Sequence, residues 1–215
     1  MNTVRPVIAL MAPLFLLSGM AQSTVVYDNG PIQGITARNI GFGVLTNDFS
    51  ISNSFSIDSK STITGITFGA WIPYANTVAT VDWAIGTTFF DVSLGSGVAV
   101  AFGDQPVGGA GPFTFTLTSF SVPDLALGAG TYFLTLTNGL NDQGGTVFWD
   151  ASFGSSLARQ TDGGTPFDID SSAFQVLGKA IPEPSTLVLL SVAMGLLAWS
   201  SRHICVSKIC GTHGA

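Results

Sequence analysis

Hydrophobic and polar residues alternate with a period of two through most of the central part of the chain. The stretch PFTFTLTSF places Phe113, Phe115 and Leu117 on one face of a strand and the intervening threonines on the other. TYFLTLTNG repeats the pattern and ends in Asn138-Gly139, a pair typical of tight turns. Such alternation is typical of strands with one buried and one wet face.

Other stretches add strands and one irregularity. TVDWAIG groups Val81, Trp83 and Ile85 on one face, and a change of phase at Gly65 in STITGITFGAW predicts a β-bulge. Trp149 also falls in a strand-like run, so we expect it and Trp83 to pack in the sheets. Candidate strands lie near 24–27, 40–45, 51–57, 61–69, 78–85, 97–102, 112–120, 130–137, 145–150 and 172–177. The sequence therefore predicts an all-β fold, a jelly-roll-like two-sheet β-sandwich of about ten strands over residues 22–177, followed by a linker over 178–181.

Composition supports this fold and excludes some partners. Of the 215 residues 46% are hydrophobic and 9% charged, and the 26 glycines indicate many turns. The net charge is −6, and residues 22–181 carry twelve Asp against four Lys or Arg, a balance of −8. Without a basic cluster, the chain is not expected to bind nucleic acid or to be attracted to an anionic membrane surface.

The N-terminus has the features of a secretory signal. Arg5 precedes an apolar run over residues 7–17, and small residues surround Ala21. A transmembrane anchor is the alternative, but the run is shorter than the roughly 20 residues that span a bilayer. We therefore expect a signal peptide over residues 1–21 and export of the domain that follows.

The residue types that most enzymes use are missing from the exported region. Residues 22–181 contain no His, Cys or Glu, which excludes His-based triads, Cys nucleophiles and His/Cys zinc sites there. A Ser–Lys dyad would need Lys60 or Lys179, which lie in a polar turn and in the predicted linker. We expect no enzymatic activity, and a hydrolase that acts on polysaccharide with a pair of Asp residues stays open as an alternative.

Two groups of residues are candidate binding sites. Asp162, Asp168 and Asp170 in TDGGTPFDID could ligate calcium, although they match no calcium-loop motif and solvated turn carboxylates are the simpler interpretation. Trp71 and Tyr74 in WIPY follow a strand, in a predicted loop, where they could stack on a glycan. A carbohydrate-binding module, assisted by calcium, is therefore the main alternative function. No other cofactor is expected.

The chain nears its end with IPEPSTLVLLSVAMGLLAWSSR. Pro182-Glu183-Pro184 should be extended, because each proline fixes φ and disfavours helix in the residue before it. The following apolar run predicts a short transmembrane helix over 187–201, with Arg202 behind it as a weak membrane stop. A terminal helix packed on the domain is the alternative.

This tail resembles a PEP-CTERM sorting signal, in which Pro-Glu-Pro, often followed by Ser-Thr-Leu, precedes a short helix and a basic cluster. Pro182, Glu183, Pro184 and Arg202 match that pattern over residues 182–202. The resemblance implies export across the inner membrane of a Gram-negative bacterium, then recognition and cleavage by an exosortase. Proteins with such tails are associated with exopolysaccharide and biofilm matrix at the cell surface.

The central β region also resembles proteins of the PEP-CTERM family, whereas the last residues depart from their pattern. VYDNG, VDWAIG, LGAGTYFLTL and VFWD resemble the β-sandwich ectodomains that precede such tails. Family members usually end within a few residues of several consecutive basic residues, whereas here residues 203–215, HICVSKICGTHGA, follow a single arginine. This atypical tail is either a genuine extension or the product of a frame shift.

Overall fold

The structure, a computed structural model, describes residues 23–40, 49–74, 76–100, 103–181 and residue 192. The described chain folds into thirteen β-strands. These are β1 (Thr24–Asp28), β2 (Ala37–Asn39), β3 (Ser50–Ile57), β4 (Ser61–Pro73), β5 (Val78–Gly86), β6 (Gly95–Val100), β7 (Gln105–Ala110), β8 (Phe113–Leu127), β9 (Gly130–Asn141), β10 (Phe148–Asp150), β11 (Ala158–Thr161), β12 (Phe167–Ile169) and β13 (Phe174–Ala180).

The strands form two antiparallel sheets. In sheet A, which has seven strands, the long strand β4 pairs with β8 on one side and with β13 and β10 on the other. Further out, β7 pairs with β8, β1 with β13 and β2 with β10. Sheet B has six strands in the order β12-β11-β3-β9-β5-β6. The predicted all-β, two-sheet β-sandwich is confirmed. The sequence prediction missed four short strands, β2, β7, β11 and β12. Its candidate strand at 40–45 lies outside the described residues after Ile40, which is not in a strand.

The core lies between the two sheets. Strand β9 shows how the alternation builds it: Leu134 and Leu136 are fully buried, and Thr135 and Thr137 lie on the opposite face. Val81, Trp83 and Ile85 of β5 also belong to the core, as the sequence predicted. The largest fully buried side chains of the described residues include Trp149, Phe55, Phe68, Phe174, Ile51, Ile63, Ile66 and Ile72.

Two irregularities have different outcomes. The predicted bulge at Gly65 is confirmed, because the registers of β4 with β8 and with β13 both shift between Ile63 and Gly65. The predicted turn at Asn138-Gly139 is wrong, because β9 continues through both residues to Asn141. Asn138 has a φ of 51° where the register with β5 shifts, so the pair forms a bulge inside a long strand.

The phase of β8 differs from the expectation of one buried and one wet face. Thr116 and Thr118 face the core and are buried, whereas Phe115 and Leu117 lie on the outer face of sheet A. The interior hydroxyls are satisfied, because Thr118 donates to the carboxylate of Asp104 and contacts the hydroxyl of Thr116. Phe115 is covered by a chain segment that the alternation within one strand does not reveal, whereas Leu117 is partly exposed.

The ends of the described domain lie side by side. Thr24 of β1 pairs with Gly178 of β13, and the backbone N–H of Ile181 donates to the carbonyl of Lys60. The predicted linker over 178–181 is corrected by this arrangement, because β13 continues to Ala180 with ladder partners on β4. The predicted signal peptide and the sorting and tail segments (1–21, 182–202 and 203–215) lie outside the described residues, except for residue 192.

Candidate functional site

A cavity of about 580 Å³ opens on the outer face of sheet A. We call it the sheet A groove; its floor is formed by Thr67 of β4 with Phe115 and Leu117 of β8. One wall is the segment of residues 30–34, and the other is residues 107–109 of β7. The volume falls within the range of about 300–1,000 Å³ that is usual for ligand pockets.

The segment that forms the first wall connects β1 to β2 across sheet A. Ile32 packs onto the sheet above Gly69, where a Cβ would stand 2.7 Å from the Ile32 side chain. Gly34 has a φ of 66° and lies against the ring of Phe115. Gly69 therefore gives the covering segment the space to approach the sheet, and Gly34 gives it the turn.

Asp150 holds this covering segment in place. Its side chain is fully buried at the end of β10. Oδ1 accepts hydrogen bonds from Trp71 Nε1–H (2.6 Å) and from the backbone N–H of Gly34 (3.1 Å), and Oδ2 accepts one from the backbone N–H of Gln33 (2.7 Å). Three donors from two segments converge on one carboxylate, so Asp150 links the wall of the groove to sheet A.

Burial also changes the acidity of Asp150. Desolvation raises the pKa of the Asp150 carboxyl above its ordinary value, although the hydrogen bonds from Gln33, Trp71 and Gly34 act in the opposite direction. Within the described residues the only salt bridge is the one between Arg159 and Asp168. The charge of Asp150 is therefore balanced there by N–H dipoles and not by a cation.

An aromatic cluster lies beside the groove on the same face of sheet A. The ring of Trp71 lies 4.4 Å from that of Phe115 and 5.8 Å from that of Phe113, which in turn lies 5.6 Å from that of Phe148. The prediction that Trp71 lies in a loop is wrong, because it belongs to β4. Its indole is packed and hydrogen-bonded, so it does not form an open stacking platform.

Tyr74, the second predicted glycan contact, is placed differently. It directly follows β4, has a φ of 57°, and donates its backbone N–H to the carbonyl of Pro112. Its side chain is 79% exposed. Of the two predicted contacts, Tyr74 alone presents an open ring.

The predicted calcium ligands do not form a ligand set. Asp168 of β12 faces Arg159 of β11 and accepts a hydrogen bond from its Nε at 2.8 Å. Asp162 lies in the turn after β11 and accepts a weak hydrogen bond from the backbone of Gly164, and Asp170 follows β12. The described part of the chain contains no group of three or more His, Cys, Asp or Glu residues that could hold a metal ion.

The carboxylates are dispersed among the cavities as well. Among the described residues, one ionisable side chain, Asp28, lines the sheet A groove. A second cavity, near the Gly65 bulge, contains Asp124 and Lys179, and a third, on the outer face of sheet B, contains Asp82. None of these three cavities, as far as the described residues line them, contains the pair of acids that the hydrolase alternative requires.

A loop on sheet B carries a carboxylate with the opposite shift of pKa. Asp91 accepts hydrogen bonds from the backbone N–H and hydroxyl groups of both Thr87 and Ser93. These bonds, first the one from the Ser93 side chain, lower the pKa of Asp91 to about 2. The carboxylate thus fixes the loop between β5 and β6.

Sequence reasoning missed the residues that build the groove. Gln33, Gln175 and Asp28 stand at ordinary polar positions, and nothing in their spacing indicates that they meet. Two weak signals were present. Gly69 interrupts an apolar strand, which is typical of a close approach by another segment, and Asp150 directly follows the buried Trp149.

The described residues include no helix long and apolar enough to cross a membrane. The predicted sorting residues Pro182, Glu183, Pro184 and Arg202 lie outside them. Neither the family models nor the curated proteins nor the solved structures compared with this chain give a match.

Proposed function

We propose that the protein is an exported cell-surface or extracellular-matrix protein, delivered by an exosortase-type system, whose β-sandwich works without enzymatic activity. The observation that carries this proposal is the order Pro-Glu-Pro-Ser-Thr-Leu, apolar run and Arg202 at residues 182–202, together with the signal-like residues 1–21. Each segment alone is ordinary. A protein with both is directed out of the cytoplasm and then processed at its other end.

The positions of the two ends of the β-sandwich support the proposed display at the cell surface. Strand β1 begins beside the end of β13, so the segments that precede and follow the domain leave from the same end. A tether at that end leaves the opposite end free to face the exterior. The lack of His, Cys and Glu in residues 22–181 supports a structural or binding role over a catalytic one.

Fractionation of native cells tests the proposal. Wild-type protein should be released from the membrane fraction to the cell surface or medium. Replacement of Glu183 by Ala, together with Pro184→Ala, should retain the full-length precursor in the membrane. The control Lys179→Ala changes an exposed residue close to the motif but outside it, and it should be released like wild type. Equal release of all three proteins would overturn the proposal.

A further inference from the structure

We propose that the sheet A groove is a binding site for a neutral oligosaccharide, that is, for a short run of uncharged sugar units in a longer chain. This activity goes beyond export and sorting and does not depend on them. It also differs from stacking on Trp71 and Tyr74, neither of which lines the groove. The ligand class follows from the charge, the polar groups and the apolar surface of the lining.

The charge of the groove excludes an anionic ligand. Asp28 is its one ionisable residue, and the described lining contains no Lys or Arg. Both Asp28 oxygens are already engaged, Oδ1 with the backbone N–H of Gly30 at 2.8 Å and Oδ2 with Gln175 Nε2 at 2.9 Å. A phosphate or an acidic sugar would meet a carboxylate with no cation to offset it. A cation would have to displace both hydrogen bonds.

The neutral polar groups of the groove match sugar hydroxyls. Gln33 and Gln175 contribute amides, each of which can donate and accept, and Thr67 contributes a hydroxyl already bonded to Ser119 at 2.8 Å. Strand β7 pairs only with β8 among the described strands, so the N–H and C=O groups on its other side add further donors and acceptors beside the groove. Sugar hydroxyls likewise donate and accept, without charge.

The remaining lining is apolar, which suits the C–H faces of sugar rings. Leu117 on the floor, Ile32 on one wall and Val107 on the other are partly or mainly exposed. The ring of Phe115 lies beneath, supported by its contact with Trp71. Apolar surface interleaved with amides is the usual composition of a site that orients a neutral ligand.

The groove is also on the accessible part of the molecule. It lies at the Phe174 end of β13, whereas the chain leaves the domain at Ile181. Seven extended residues separate these points by roughly 20 Å, at about 3.3 Å per residue. The groove is therefore well separated from the point where the described chain ends.

Ligand titrations monitored by NMR test the proposal on the intact protein. The probes are cellohexaose, maltohexaose and xylohexaose as neutral glycans, hexagalacturonate as an acidic glycan, and octanoate as an apolar ligand. We expect at least one neutral hexasaccharide to shift the amide signals of Gly30, Gly34, Gly108 and Gly109 at millimolar concentration. No shift there with any neutral glycan, or shifts only with hexagalacturonate or octanoate, would overturn the proposal.

Two variants locate the site. Val107→Trp places a large side chain in the groove from an exposed position on β7 and should weaken glycan binding at least tenfold. Gln33→Ala removes one amide from the groove and should weaken glycan binding about fivefold. Val100→Trp is the matched control, because Val100 is 61% exposed on the edge strand β6 and does not line the groove. Unchanged binding by Val107→Trp, or equal loss in the control, would contradict the assignment even where sorting is intact.

Discussion

Replacement of Asp150 by Asn tests whether this carboxylate anchors the wall of the groove. The two side chains have nearly the same shape, but the amide has one accepting oxygen instead of two. An oxygen at the Oδ1 position can keep the bonds from Trp71 and Gly34. The amide nitrogen then faces the backbone N–H of Gln33, so two donors meet in a buried position.

The expected cost follows from the lost bond. A buried donor without an acceptor costs about 1–3 kcal/mol, and the relief of burying a neutral group in place of a charge offsets part of it. We therefore expect Asp150→Asn to lower the free energy of unfolding by about 1–2 kcal/mol in urea titrations, the lower part of that range. The Trp71 indole N–H and the Gln33 amide should both change their NMR chemical shifts.

Asp168→Asn is the matched control. The Asp168 side chain is 80% exposed and pairs with Arg159 at the surface, so its loss should cost about 0–1 kcal/mol. If Asp150→Asn is as stable as wild type, or more stable, and leaves the Gln33 amide signal unchanged, the carboxylate does not hold the covering segment.

Three further outcomes are expected. Gly69→Ala should lower the free energy of unfolding by about 1–3 kcal/mol, because its Cβ would stand 2.7 Å from the covering segment. The control Gly128→Ala, where a Cβ would have no other atom within 4 Å, should change the free energy of unfolding little. Equal effects of the two substitutions in urea titrations would contradict this packing. Trp149→Ala removes a fully buried indole and should cost about 3–5 kcal/mol in the same assay; a cost below 1 kcal/mol, far under that of other core aromatics, would contradict its place in the core. In a ¹³C NMR pH titration, Asp91 should titrate near 2 and Asp150 above 3.8, so titration in the reverse order would contradict the two environments.

These shifts of pKa affect stability in opposite directions. The lowered pKa of Asp91 means that its contribution to stability is present above pH 3.8, the ordinary value, and is lost as the pH falls through about 2. The pKa of Asp150 is raised, so its contribution is largest below 3.8 and is lost as the pH rises through its higher value in the folded protein. Asp150→Asn should therefore remove the second dependence and leave the first.

The fold was predictable because period-two alternation is a local property. Strand β9 buries Leu134 and Leu136 as its sequence indicates, and the phase change at Gly65 is a real bulge. The short strands β2, β7, β11 and β12 lacked this signal. All of β7 is exposed, and only its pairing with β8 defines it.

The candidate site was not predictable, because it depends on a third layer over sheet A. Period-two alternation cannot tell a residue that faces the core from one that faces a covering segment, and for that reason Phe115 was misplaced. Trp71 was misplaced for a different reason, because the predicted strand ended at residue 69 whereas β4 continues to Pro73. Asp28 and Gln33 are close in sequence, but Gln175 lies 147 residues after Asp28, and the three meet only through the pairing of β1 with β13 and the path of the covering segment. The dispersed positions of Asp162, Asp168 and Asp170 show the same limit, because nearness in sequence did not bring their carboxylates together.

Export followed by processing at the Pro-Glu-Pro motif is the central claim, and intact mass spectrometry of the protein from native cells tests it most directly. Membrane and extracellular fractions should be measured separately. The expected result is an extracellular form that begins near residue 22 and lacks the residues that follow the motif. A full-length form that retains Cys205 and Cys210 and is found only in the membrane fraction would contradict it.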